Sequence, residues 1–163
     1  MMPSDKLRLH VALYARGGRT PGGSDPATYH WALVVGPKTE RPDDFGMRYH
    51  AKDRTSATGA KEWRFESVEA SIQATSMILI RITVAKILKP EQVEMILKAI
   101  PVVQNDPTWN CITWVKNALE ELHKSGVSWG PDPQVCGNQS SFERSAAATI
   151  PGRGCGIALS CDT

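Results

Sequence analysis

Hydrophobic positions along the chain follow two periods. Up to residue 87 they alternate with polar ones; from residue 90 to 124 they recur every three or four. In LRLHVALYA (7–15), Leu7, Leu9, Val11 and Leu13 alternate with Arg8, His10, Ala12 and Tyr14, the period of a strand with one face buried and one in water. YHWALVVG (29–36) is rich in β-branched and aromatic residues and stops at Gly36-Pro37, which predicts a second strand. GMRYHAKD (46–53) sets Met47, Tyr49 and Ala51 against Arg48, His50 and Lys52, a third. WRFESV (63–68) reads as a short fourth strand, and the long apolar run MILIRITVAKI (77–87) as a fifth, expected at the centre of the sheet.

The period then changes. In KPEQVEMILKAI (89–100), Val93, Ile96, Leu97 and Ile100 share one helical face, Pro90 suits the first helical position and Glu91 the first turn. A second helix carries Cys111, Val115, Ala118 and Leu122 on one stripe with Trp114 beside it, and ends near Lys124-Ser125-Gly126. Its start has two candidates: Asn110 as N-cap, with Cys111 in the first turn, or Asp106 before Pro107, with Cys111 one turn deeper. RGGRTPGGSDPAT (16–28) is a loop by its glycines and prolines. From Trp129 the periodicity ends in a segment rich in Gly, Pro and Ser. Strands followed by helices predict an α+β domain over 1–128, an antiparallel sheet of about five strands packed against two helices. Residues 129–163 are expected to form a tail that wraps the domain or is partly disordered.

Composition narrows the chemistry by exclusion. A chain of 163 residues is long enough to bury one core without metal or disulfide staples. Its 41% hydrophobic and 22% charged residues and net charge of +2 give no pull toward nucleic acid or anionic membrane. The N-terminal residues MMPSDKLRLH lack the apolar core of a secretory signal, and no stretch approaches the roughly 18 apolar residues of a membrane span. A cytoplasmic location is therefore expected, with Cys111, Cys136, Cys155 and Cys161 as free thiols. The four histidines lack paired metal-ligand spacing, so neither zinc nor another cofactor is expected.

One constellation carries chemistry. At a helix start, unpaired backbone N–H groups and the positive end of the macrodipole favour a thiolate, so Cys111 after Asn110 is a candidate nucleophile. His30 lies on the apolar side of its strand with Ala32 and Val34, where an idle imidazole costs desolvation, and is a candidate base. His50, on the adjacent predicted strand, is placed to accept a hydrogen bond from the other ring nitrogen and fix the tautomer. These roles predict a Cys111 sulfur within or slightly beyond hydrogen-bond reach of His30.

HWALVVG, then YHAKD, then NC at a helix start resemble the circularly permuted papain-like superfamily of lecithin:retinol acyltransferase-like enzymes, NlpC-type peptidases and PPPDE peptidases. The His-His-Cys order is most similar to the acyltransferase branch, and the chain also resembles short uncharacterised fungal proteins with the same HWAL and NC elements. The resemblance spans roughly residues 7–124 and implies a cysteine-dependent hydrolase or acyltransferase. Cys111 would be the nucleophile, His30 the base and His50 its partner, acting on a small-molecule or peptide acyl substrate. The membrane helix at the C-terminus of that branch is missing here, so the substrate does not carry over.

Plainer readings stand beside these. Free cysteine also behaves as a small core hydrophobe, and His50 between Arg48 and Lys52 fits a solvated strand position. The residues flanking the site, Trp31, Trp109, Asn110 and Trp114, are candidate substrate contacts or, for the indoles, packing. His10 is expected on an exposed strand face and His123 at a helix C-terminus, where a cation is favoured. Arg16 and Arg19 suit an acidic ligand or simply a solvated loop. The rival to an enzyme is a binding or interaction module that keeps the fold.

Overall fold

The structure, a computed structural model, describes residues 6–16, 28–39, 41, 43–73 and 78–130. Five strands come first: β1 (Leu7–Tyr14), β2 (His30–Pro37), β3 (Phe45–Thr55), β4 (Lys61–Ser71) and β5 (Ile78–Ile87). Helices α1 (Pro90–Ala99) and α2 (Cys111–Lys124) follow, and a two-residue strand, β6 (Ser128–Trp129), closes the sequence of elements. The strands form one antiparallel sheet in the order β4-β3-β2-β1-β5-β6. The α+β class is as expected, but the strands number six rather than five. Two residues are too few to leave a periodic signal, and β6 crosses the expected domain boundary at 128/129. The remainder of the expected tail, 131–163, lies outside the described residues, as does most of the loop after β1.

Alternation sorts the sheet into two faces. Leu9, Val11, Leu13, Trp31, Leu33, Tyr49, Ala51 and Trp63 point to the side covered by the helices. There they meet Val93 and Leu97 of α1 and Cys111, Trp114, Val115, Ala118 and Leu122 of α2, the stripes read from the sequence. Ala12, Tyr14, Ala32 and Val34 point the other way and pack with Ile72 in a smaller cluster.

Two strand expectations change. β1 is buried on both faces from Leu9 to Tyr14 instead of half-buried, because β2 and β5 flank it and Ile72 closes over the second face. His10 is accordingly only 4% exposed, not on a solvent face, and its Nδ1 lies 3.0 Å from the hydroxyl of Thr83. β5 is not central: only Ile80 and Ile87 are buried in it, since among the described residues only the short β6 pairs beyond it. Its register with β1 shifts twice, at Leu9/His10 and Leu13/Tyr14, irregularities of the kind that bend a sheet.

The end of α2 fixes the helix to the sheet. Gly126 takes φ +62°, open to glycine at little cost, and its N–H donates to the carbonyl of His123 while that of Val127 donates to Leu122. The carbonyl of fully buried Val127 accepts in turn from Leu88, just before α1.

Candidate active site

Asn110 is the N-cap of α2. Its extended backbone breaks the chain into the helix, and its side-chain oxygen accepts from the N–H groups of Ile112 at 2.9 Å and Thr113 at 3.2 Å. The cap does not take the N–H of Cys111, the first helical residue. The competing start at Asp106 forms a turn instead: its carboxylate accepts from the N–H and hydroxyl of Thr108, and its carbonyl from Trp109. Cys111 is 1% exposed, and its sulfur accepts a hydrogen bond from a terminal nitrogen of Arg16 at 3.3 Å.

His30 opens β2 and His50 lies within β3. The β2–β3 register pairs Leu33 with Tyr49 and Val34 with Arg48, so the same offset carried to the strand start sets His30 opposite Lys52 and diagonal to His50. That diagonal brings His30 Nε2 to 2.6 Å from His50 Nδ1. His50 pairs with Glu66 in the β3–β4 ladder, and its Nε2 faces the Glu66 carboxylate at 3.4 Å. The contact lacks hydrogen-bond geometry, but the negative charge of Glu66 favours the His50 tautomer with its proton on Nε2; in that tautomer Nδ1 accepts from His30 Nε2–H and His30 Nδ1 keeps a lone pair. Burial, then the charge of His50, then that of Arg16 hold the His30 pKa down to about 3. Burial followed by the charges of Arg48 and Lys52 hold that of His50 down to about 4. Both rings are neutral at pH 7.

A third set of groups joins these at the end of the sheet. Arg16 follows β1, and its other terminal nitrogen is 4.0 Å from the carboxylate of Asp53, which Lys61 approaches more closely at 3.3 Å. Burial pushes the Asp53 carboxyl up, but the Lys61 hydrogen bond and the charges of Arg16 and Lys61 outweigh it and leave the group below its ordinary range. Lys61 also sits 4.7 Å over the ring of Trp63, which meets Trp109 edge to face at 5.3 Å.

Of the residues read from the sequence, His30 and His50 are brought together, and His50 is buried rather than solvated. The Cys111 sulfur, expected within hydrogen-bond reach of His30 or slightly beyond it, takes its hydrogen bond from Arg16 and none from His30. The physical reason is strand alternation: His30 pairs with Tyr14 on the face of Ala32 and Val34, whereas Cys111 packs on the helix-covered face. Trp31 and Trp114 are fully buried in the core, so packing rather than an open cleft accounts for them; Trp109 is 7% exposed and Asn110 is the cap. Asp53 and Glu66 were not read as site residues. Their only signal is to be opposite Trp63 and His50 once β3 and β4 are paired.

A cleft of about 290 Å³ lies away from these groups at the far end of β2 and is lined by Leu7, Gly36, Phe45, Met47, Pro90 and Val93 among others. It contains no cysteine or histidine. Among the described residues no cluster of His, Cys, Asp and Glu is arranged to hold a metal ion, and no helix is long and apolar enough to cross a membrane.

A family model described as "Family of unknown function (DUF6914)" matches residues 6–138. The chain belongs to this family. The match contains all six strands and both helices, so Arg16, His30, His50, Asp53, Glu66 and Cys111 all fall inside the family's domain. No curated protein and no solved structure matches the chain.

Proposed function

We propose that this family member is a cysteine-dependent hydrolase or acyltransferase of permuted papain-like type, with Cys111 as nucleophile and His30 as base. The observation that carries the reading is the 2.6 Å contact between His30 and His50, with the Glu66 carboxylate 3.4 Å beyond His50, at the sheet end where α2 presents its first-turn thiol; with the His50 proton toward Glu66, His30 is a neutral imidazole with a lone pair to offer. Nucleophile, base and orienting group are the parts such chemistry needs. The order of the elements supports the permuted type, since the two histidine strands precede the cysteine helix.

The chemistry balances simply. His30 Nδ1 takes the thiol proton, the sulfur forms a bond to the carbonyl carbon, and the leaving group departs with that proton. Water or an amine then adds to the thioester, the acid or amide departs, and the thiol is restored. The N–H of Cys111, which the Asn110 side chain does not take, is the proposed oxyanion donor. Reaching this arrangement requires Arg16 to give up the sulfur, because His30 makes no hydrogen bond to it at rest.

That same separation favours a second reading. A thiol 1% exposed and bonded to Arg16 also suits a binding module whose cysteine is part of the core. Alkylation with iodoacetamide, followed peptide by peptide, separates the two. The enzyme reading expects Cys111 to react near pH 7 well ahead of Cys136, Cys155 and Cys161, and to slow at least tenfold in His30→Ala. Uniformly slow reaction at all four thiols overturns it in favour of the module.

A further inference from the structure

We infer that Arg16 selects the substrate, and that the site takes acyl compounds bearing a carboxylate close to the reacting carbonyl. The inference rests on the reading of Cys111 as nucleophile. Arg16 holds a planar fork of five N–H donors, yet among the described residues only one terminal nitrogen has a hydrogen-bond partner, the Cys111 sulfur. The other lies 4.0 Å from Asp53, beyond hydrogen-bond range, and Nε is buried with no partner. The buried Nε–H left in this state costs free energy, which a carboxylate accepting two parallel N–H bonds from the fork restores.

The surroundings point the same way. Arg16 and Lys61 both face the carboxylate of Asp53, and Lys61, at 3.3 Å, is the nearer of the two, so Arg16 is the less engaged cation. Trp63 and Trp109 stand beside Lys61 as an apolar wall. Exposure fixes the order of encounter: the Arg16 side chain is 35% exposed and Cys111 only 1%, so a molecule bound for the sulfur meets the guanidinium first. A substrate carboxylate exchanges with the sulfur as the partner of Arg16 and thereby releases the thiol. A neutral compound reaches the sulfur only when its hydrogen bond from Arg16 opens unaided, and so reacts more slowly than a carboxylate. Arg16 is thus a specificity residue and a catch on the nucleophile at once.

The test compares two reagents that differ in charge but make the same S–C bond with loss of iodide: iodoacetate and iodoacetamide. The ratio of their rates at Cys111 is measured by mass spectrometry in the folded full chain and in the same chain unfolded in urea, which supplies the intrinsic ratio. Iodoacetate is expected to be favoured at least tenfold more in the folded chain. Arg16→Gln should return the ratio to the unfolded value, and Arg16→Lys, which keeps the charge without the fork, should fall between. Equal ratios in the folded and unfolded wild-type chain overturn the inference and leave the nucleophile standing, and need no variant to fold. A preference that survives Arg16→Gln overturns it as well. If neither reagent labels folded Cys111, the reading of the nucleophile fails and the inference fails with it.

Discussion

The two faces of the sheet are built on opposite terms. The helix-covered face is filled by large apolar side chains, Trp31, Leu33 and Leu9 against Trp114, Leu97 and Leu122, with the Cys111 thiol among them. The other face sets Ala12, Ala32 and Val34 among Tyr14, His30, Arg48, His50 and Glu66, with Arg48 5.1 Å from the Tyr14 ring centroid. One face gains stability from area removed from water; the other keeps ionisable groups in a place where charge is expensive. The proposed chemistry needs a part from each, so it is confined to the sheet end, where Arg16, just after β1, already reaches the Cys111 sulfur.

The largest expected effect lies on the helix-covered face. Leu122→Ala removes a fully buried side chain from α2 and should lower stability by about 2–5 kcal/mol in urea titrations. A loss under about 1 kcal/mol would mean that the helices are not seated on the sheet as described.

The histidine face is tested by acid. Both rings have folded pKa values below the ordinary 6.5, so protons bind the unfolded chain first. Their contribution is complete above pH 6.5 and is lost as pH falls toward about 4 for His50 and about 3 for His30. His50→Gln should flatten the decline in stability between pH 6.5 and 4, and a slope unchanged from wild type would show that His50 is not held neutral by the fold.

The smallest effect is at Glu66, whose side chain is 30% exposed. Glu66→Gln should change stability by less than about 1 kcal/mol, in keeping with a half-exposed pair. Nitrogen-15 NMR should nonetheless register it, because an uncharged amide no longer favours the His50 tautomer with its proton on Nε2. Identical His50 tautomer populations in wild type and variant would break the row Glu66–His50–His30 at its outer end.

The sequence made the elements legible where a period had room to repeat. Alternation through Leu7–Leu13 and Met47–Ala51 and the helical spacing of Val93–Ile100 marked β1, β3 and α1, and Asn110 marked the start of α2. Ser128–Trp129 had no room for a period. His10 was misplaced because alternation shows which residues share a face, and nothing in it says whether Ile72 will cover the second face too. The site was legible in part for a related reason. His30, His50 and Cys111 are residue types that advertise chemistry, whereas Arg16 meets Cys111 across 95 positions of sequence. Asp53 and Glu66 depend on a hairpin register set by the turn at 56–60.

The closure of α2 constrains the length of the chain as well as its composition. Asn110 pins the helix at one end, and Gly126 with Val127 pins it at the other, tying it to the start of α1 through Leu88. Adding or removing one residue between them turns one end against the other by about 100° and shifts it by about 1.5 Å. Either Cys111 leaves the buried stripe and Arg16, or Leu122 leaves the core. Homologous chains should therefore vary in length at the hairpin 56–60 and keep the spacing from 110 to 127 fixed, a spacing that identifies members of this family in which the histidines have been replaced.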